Sequence, residues 1–271
     1  MKIGVFDSGF GGLTVLRALL EKAPAADYVY LGDTARLPYG AKSRETVARY
    51  AVSSAKFLVE QGAEFLTIAC NTASALALDA IRGAVTVPVL GVIETGVGCA
   101  AGVSETRDVM VVATSATVES HAYAAACTVH GLRAIEKACP LLVPLVEEGW
   151  IEHPVTAEVL RIYLTELKEQ ARIAGLDPDT LVLGCTHYPL LRKQIEEVVS
   201  RTVRVIDSAE ATAERVAGTL ELEGMTGKGT AQFFATDSVK KFRALGGRFL
   251  GREIDGVELV DLEKERTGNR K

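Results

Sequence analysis

Short apolar runs rich in valine, isoleucine and leucine recur along the 271-residue chain with longer helical patterns between them, and no other feature of the sequence restricts its fold as much. The runs lie at 2–6, 27–31, 65–69, 88–92, 108–113, 180–184 and 203–206, with weaker ones at 231–235 and 257–261. Strands that read as unbroken apolar stretches are covered on both faces, and strands separated by helices pair in parallel. The fold class is therefore α/β. Ser43 opens a helical stretch reaching Gln61, Pro154 another reaching about Ala174, and Ser208 a third over 209–221. Each start carries a capping or first-turn residue.

Two segments echo each other. Phe65-Leu-Thr-Ile-Ala-Cys70-Asn-Thr72 and Thr180-Leu-Val-Leu-Gly-Cys185-Thr-His187 each read as an apolar strand, a small residue, a cysteine, two polar residues and a helix-compatible run. A second pair, Ile3-Gly-Val-Phe-Asp7-Ser8 and Met110-Val-Val-Ala-Thr114-Ser115, has a similar though unequal spacing. The repetition predicts two similar parallel-sheet α/β domains related by pseudo-symmetry, one from 1–95 with 209–271 and one from 96–208. Ligands collect at the carboxyl ends of parallel strands, so all four strand ends are candidate site positions. An active site in the interdomain cleft would let Cys70 and Cys185 approach from opposite sides. Residues 263–271 are polar and of mixed charge, and read as a solvated tail.

Composition narrows the partners. The net charge of −5 is spread along the chain, which gives no footprint for nucleic acid or an anionic membrane surface. There is no run of eighteen apolar residues, and Met1 leads straight into a strand without a signal peptide's apolar stretch. A cytoplasmic protein with a small-molecule substrate is expected, with no membrane and no nucleic-acid partner. The cysteines Cys70, Cys99, Cys127, Cys139 and Cys185 are five in number and include no Cys-x-x-Cys pair, which argues against disulfides, zinc and a thioredoxin-type site. No metal is expected, and a cysteine that matters here acts as a thiol.

Asp7-Ser8-Gly9-Phe10-Gly11-Gly12 lies between the first strand and a helix. Its amides can cradle an anion at the helix start, or its glycines simply make a tight turn with Asp7 as a cap. Thr14 stands where a dinucleotide fingerprint needs glycine, and no P-loop lysine follows. Asp33-Thr34-Ala35-Arg36-Leu37-Pro38-Tyr39-Gly40 is turn chemistry at the same sheet edge. Cys70 and Cys185 each sit where a strand gives way to a helix, a position expected to lower a thiol pKa. Asn71, Thr72 and Thr186 beside them can orient a carboxylate. His187, two residues past Cys185, is a proton-relay candidate, whereas His121, His130 and His153 have no such company. Cys99, Cys127 and Cys139 read as small buried residues.

Two thiols facing one cleft suit inversion of an amino-acid α-carbon. A base on one face removes the proton and an acid on the other supplies one. The enantiomers are equal in free energy, so both groups work in both directions. Thiol and thiolate are each accessible near neutral pH. The α-proton is far less acidic than a thiol, which requires preorganised dipoles and excluded water around the carbanion-like transition state. No lysine-centred pyridoxal signature is present to supply an electron sink, and no cofactor is expected.

On Asp7-Ser8-Gly9-Phe10-Gly11-Gly12, Asp33-Thr34-Ala35-Arg36-Leu37-Pro38-Tyr39-Gly40, Cys70-Asn71-Thr72-Ala73-Ser74, Cys139-Pro140 with Val146-Glu147-Glu148-Gly149, and Leu183-Gly184-Cys185-Thr186-His187-Tyr188-Pro189, the sequence resembles bacterial glutamate racemases of the cofactor-independent aspartate/glutamate racemase family. The resemblance runs nearly the whole chain. It implies two-base interconversion of L- and D-glutamate, supplying D-glutamate for peptidoglycan. It assigns proton exchange with D-glutamate to Cys70 assisted by Asp7, and with L-glutamate to Cys185 assisted by His187. Asp7, Ser8, Tyr39, Gly40, Asn71, Thr72, Thr186 and His187 match substrate-contacting positions, with Thr114 or Thr117 as further contributors. A homodimer is compatible with the resemblance, with no face assigned to it.

Thr95 departs from the family pattern, which usually has proline there, and is expected to affect hinge geometry rather than chemistry. The N-terminal extension of activator-dependent members is lacking, so regulation by a cell-wall precursor is not expected. Three rival readings remain: a racemase or isomerase for aspartate or another small acid, a non-catalytic amino-acid-binding protein, and a cysteine hydrolase using Cys185 with His187.

Overall fold

A computed structural model describes residues 1–222 and 227–262, and the tail expected at 263–271 lies outside them. Its strands are β1 (Lys2–Asp7), β2 (Asp27–Gly32), β3 (Phe65–Ile68), β4 (Val89–Gly91), β5 (Asp108–Ala113), β6 (Arg133–Ala138), β7 (Thr180–Gly184), β8 (Arg204–Asp207), β9 (Ala231–Ala235) and β10 (Val257–Leu259). They form a six-stranded sheet in the order β10-β9-β2-β1-β3-β4 and a four-stranded sheet in the order β6-β5-β7-β8. Every pairing is parallel.

The order β2-β1-β3-β4 recurs as β6-β5-β7-β8, so the two sheets share one topology and β9 and β10 extend the first. This is the pseudo-symmetric pair of α/β layers that the echoing segments predict. Every side chain of β3, β5 and β7 is buried, so helices cover both faces of these strands and no polar alternation survives in their sequences. We propose the domain division at 95/96 and 208/209, which keeps each sheet whole.

Local signals explain the helices. Ser43 Oγ accepts from Thr46 N at 3.4 Å and caps helix Arg44–Glu60, a contact worth about 1 kcal/mol. Val47, Ala51, Ser54, Ala55 and Leu58 form its buried stripe. Pro154 occupies the first position of helix Pro154–Ile173, where its missing N–H costs nothing, and His153 Nδ1 accepts from Val155 N at 3.1 Å. Helix Ser208–Leu222 returns the chain from the second sheet to the first and packs on Leu13–Lys22 and Val92–Val103. Thr95 lies in the first turn of Val92–Val103, and its hydroxyl meets that of Thr212 at 2.6 Å.

The structure departs from the sequence reading at three places. β6 falls in a segment, Arg-Ala-Ile-Glu-Lys-Ala, without an apolar run, because it is an edge strand whose side chains are only partly covered. The run at 88–92 yields a strand of three residues, since Val92 already begins a helix. Cys185 does not start a helix: a turn and the 3-10 segment Tyr188–Leu191, with Pro189 in it, precede helix Arg192–Val198. No helix among the described residues is long and apolar enough to cross a membrane.

Candidate active site

Strand register brings the candidate residues together. Asp7 pairs with Gly32 and Phe6 with Ile68, which sets Asp7, Asp33 and Cys70 at one edge of the first sheet. Ala113 pairs with Gly184, which sets Thr114 and Cys185 side by side at the matching edge of the second. A cavity of about 320 Å³ opens between these edges. Ser8, Tyr39, Gly40, Cys70, Asn71 and Thr72 line it from the first half, and Thr114, Cys185, Thr186 and His187 from the second. Both thiols therefore face one space. Asp7 is buried beneath the lining rather than in it, and Thr117 also stands behind the wall.

Cys70 caps helix Asn71–Arg82, its sulfur accepting from Ala73 N at 3.4 Å and donating to Ser8 Oγ at 3.4 Å. The expectation of a lowered pKa fails here. Burial and the nearby Asp7 charge push the Cys70 thiol up to about 12, against which Ser8 and one helix amide provide too little relief. Asp7 is raised as well, because burial outweighs the charge of His187 and the amides of Gly12, Gly9 and Ser8. Carboxyl and thiol are thus both held toward their neutral forms.

On the opposite wall Cys185 Sγ lies 3.9 Å from His187 Nδ1, and His187 Nε2 lies 3.2 Å from Glu147 Oε1. Burial disfavours a charged imidazole, but the hydrogen bonds to Cys185 and Glu147 and the charges of Cys185 and Asp7 overcome it, taking the His187 pKa up to about 10. Burial likewise opposes the Glu147 carboxylate, yet His187 and Lys241 together hold its pKa below the ordinary value. Phe249 meets the His187 ring edge-on at 5.1 Å and restricts its plane.

The glycine-rich loop does not hold a vacant anion cradle. Gly9 N donates to Asp7 Oδ2 at 2.8 Å, and the amides of Ser8 and Gly12 also serve that carboxylate, so the loop wraps its own acid. Asp7 is not the helix cap either, since Gly12 occupies that position without a side-chain bond. A Cβ on Gly12 would stand 2.4 Å from Asp7 Cβ, and one on Gly9 would stand 2.6 Å from Leu37 Cδ2. The Asp33 loop is similarly self-bonded. Asp33 accepts from Tyr39 Oη at 2.5 Å, Arg36 Nε at 2.8 Å and Thr236 Oγ1 at 2.9 Å, which fixes Tyr39 and Gly40 against the cavity.

Three hydroxyls join the halves: Thr72 Oγ1 is 2.9 Å from Thr114 Oγ1 and 3.2 Å from Thr117 Oγ1, and the last two are 2.9 Å apart. Asn71 Oδ1 accepts from Tyr123 Oη at 2.6 Å, while its Nδ2 has no partner among the described residues; nor does Asp7 Oδ1. A buried donor left over beside a cavity is available to a carboxylate ligand.

The residues set aside by the sequence reading lie elsewhere. Cys127 and Cys139 are buried as expected, Cys99 is only partly so, and His121 meets Glu136 at 3.1 Å. His153 stacks on Trp150, and His130 ends helix Ala122–Val129. Among the described residues no cluster of three His, Cys, Asp or Glu side chains could hold a metal ion. Glu147 is the functional candidate to which no role was assigned from sequence. Its segment Val146-Glu147-Glu148-Gly149 is among those that carry the resemblance, but its partner His187 is forty residues away.

Residues 3–216 match the family described as Asp/Glu/Hydantoin racemase. The glutamate racemase of Koribacter versatilis is 51% identical, the match covering 96% of this chain and 97% of that one. The crystal structure of glutamate racemase from Thermus thermophilus in complex with β-chloro-D-alanine superposes with a TM-score of 0.86 at 44% identity, covering 97% of this chain and 98% of the other. That of glutamate racemase from Francisella tularensis in complex with D-glutamate gives 0.88 at 34% identity over 97% and 98% of the two chains.

Proposed function

Since the chain belongs to the Asp/Glu/Hydantoin racemase family, we propose that it is a cofactor-independent glutamate racemase that inverts the α-carbon between two cysteines. The observation that carries this reading is the shared cavity of Cys70 and Cys185, entered from opposite sheets. Glutamate as the substrate is supported by the glutamate racemases that the chain resembles over almost its full length. Its product would be D-glutamate for peptidoglycan, made in the cytoplasm.

With L-glutamate bound, Cys185 removes the α-proton and Cys70 delivers one to the other face; D-glutamate reverses the roles. Cys70 rests as a neutral thiol and is ready as the acid. As a base it must first lose its proton, which Asp7 can take when it is itself ionised; its raised pKa makes that carboxylate bind a proton more tightly than an ordinary surface acid. His187 handles the Cys185 proton, oriented by Glu147. Asn71 Nδ2, Thr72 and Thr186 bind the substrate carboxylates, and the buried walls exclude water from the carbanion-like transition state.

Cys185, His187 and Glu147 form a line that would also suit a cysteine hydrolase. Such an enzyme has no use for a second thiol on the same cavity. Incubation with L-glutamate, D-glutamate and L-aspartate in D₂O, followed by proton NMR and circular dichroism, tests the reading. Loss of the α-proton signal together with optical rotation from either glutamate enantiomer is expected. Binding without exchange, or exchange only with aspartate, would overturn it.

A further inference from the structure

The carboxylate of Glu147 is held from both sides. Oε1 faces His187 Nε2 at 3.2 Å, and Oε2 faces Lys241 Nζ at 3.4 Å. Lys241 comes from helix Val239–Leu250, which follows β9 of the first sheet, whereas Glu147 ends helix Leu142–Glu147 on the side of the second. The same ammonium lies 5.6 Å from the centre of the Phe10 ring, in the loop that carries Ser8 to the cavity, within cation–π range. Phe249 of the same helix packs on His187, and Phe242 packs on Phe10 at 5.8 Å. One helix of the first half therefore touches the Cys185-side relay at both its histidine and its acid.

We propose that Lys241 is a positioning residue, whose ammonium fixes the far oxygen of Glu147 so that the near oxygen orients His187 toward Cys185. This inference rests on the racemase reading of the site. A carboxylate anchored at one oxygen presents the other in one direction; released, it turns about its last bond and hydrates. The Lys241 side chain is half exposed, so the ion pair adds little to the fold's stability and its effect lies in geometry. Because the pair crosses from one half to the other, the relay is aligned only when the halves are together.

The test is steady-state kinetics in both directions on the full chain and on K241M, K241R, E147Q and K241M/E147Q. K241M is expected to lose kcat by roughly 10- to 100-fold, the scale of a misplaced catalytic group, with KM and melting temperature little changed. Since the enantiomers are isoenergetic, kcat/KM must fall equally from either side. K241R, which still reaches Glu147, restores most of kcat. On the E147Q background K241M costs nothing further. A wild-type chain that does not racemise overturns the racemase reading and this inference with it. A wild-type chain that racemises while K241M keeps its kcat, or a K241M loss of the same size on E147Q, overturns this inference alone.

Discussion

Gly11 passes so close to Thr186 that a Cβ at Gly11 would stand 2.2 Å from Thr186 Oγ1 and 2.6 Å from His187 Nδ1. The glycine loop of the first half is thereby pressed on the polar residues that follow Cys185 in the second. Thr14 Oγ1 adds to the seam, donating to Gly11 O at 2.9 Å and reaching Thr186 O at 3.3 Å. Gly11→Ala must displace both Thr186 and His187 or part the halves. Overpacking of this kind costs ~1–3 kcal/mol. Racemisation is expected to fall by more than the loss of stability explains, which kinetics alongside urea unfolding will show; an active, merely less stable variant would contradict the argument.

Each thiol should be indispensable. Serine keeps the shape of cysteine but resists ionisation far more strongly, so Cys70→Ser and Cys185→Ser each lose acid–base catalysis worth roughly 10² to 10⁴ in rate. Deuterium entry at the α-carbon, measured separately from each enantiomer, is the readout. Near-normal turnover after the loss of Cys70 would move the chemistry to Cys185 and His187 alone.

His187 should link stability to pH. Its folded pKa of about 10 lies above the ordinary value of 6.5, so the folded state holds this proton more tightly than the unfolded chain. The resulting stabilisation, on the order of a few kcal/mol, is present in full below the unfolded value, declines as pH rises between the two, and is gone above the folded one. Urea unfolding of wild type and His187→Gln across that range is expected to give curves that converge as pH increases. The slope is diagnostic, since the substitution also removes contacts that do not titrate; parallel curves would mean the imidazole is not held charged.

Much of this architecture is written in the chain. The apolar runs of β1, β5 and β7 show as strands because both faces are buried, and the echo of Cys70 in Cys185 shows as a shared topology. β6 escapes notice because an edge strand need not be apolar. The local pattern predicts a helix start at Cys185, where Pro189 delays it, and a lowered pKa at Cys70, where burial and Asp7 prevail. Those errors share a cause. Capping and helix-end effects can be read over a few residues, whereas desolvation and the Glu147–His187 pair depend on parts of the chain that meet only after folding.

Tyr123 and Asn71 offer a test of substrate orientation. Burial pushes the Tyr123 phenol above its ordinary pKa, so it remains protonated and donates to Asn71 Oδ1. With Oδ1 committed, the Asn71 amide can present only Nδ2 to a ligand. Tyr123→Phe leaves that oxygen buried without a donor, a loss of about 1–3 kcal/mol in stability, and frees the amide to turn. KM is expected to rise several-fold for both enantiomers while kcat changes less, because binding weakens and the thiols are untouched. A variant with wild-type KM would show that Asn71 needs no partner to face the substrate; one with wild-type KM and lowered kcat would place Asn71 in transition-state stabilisation instead.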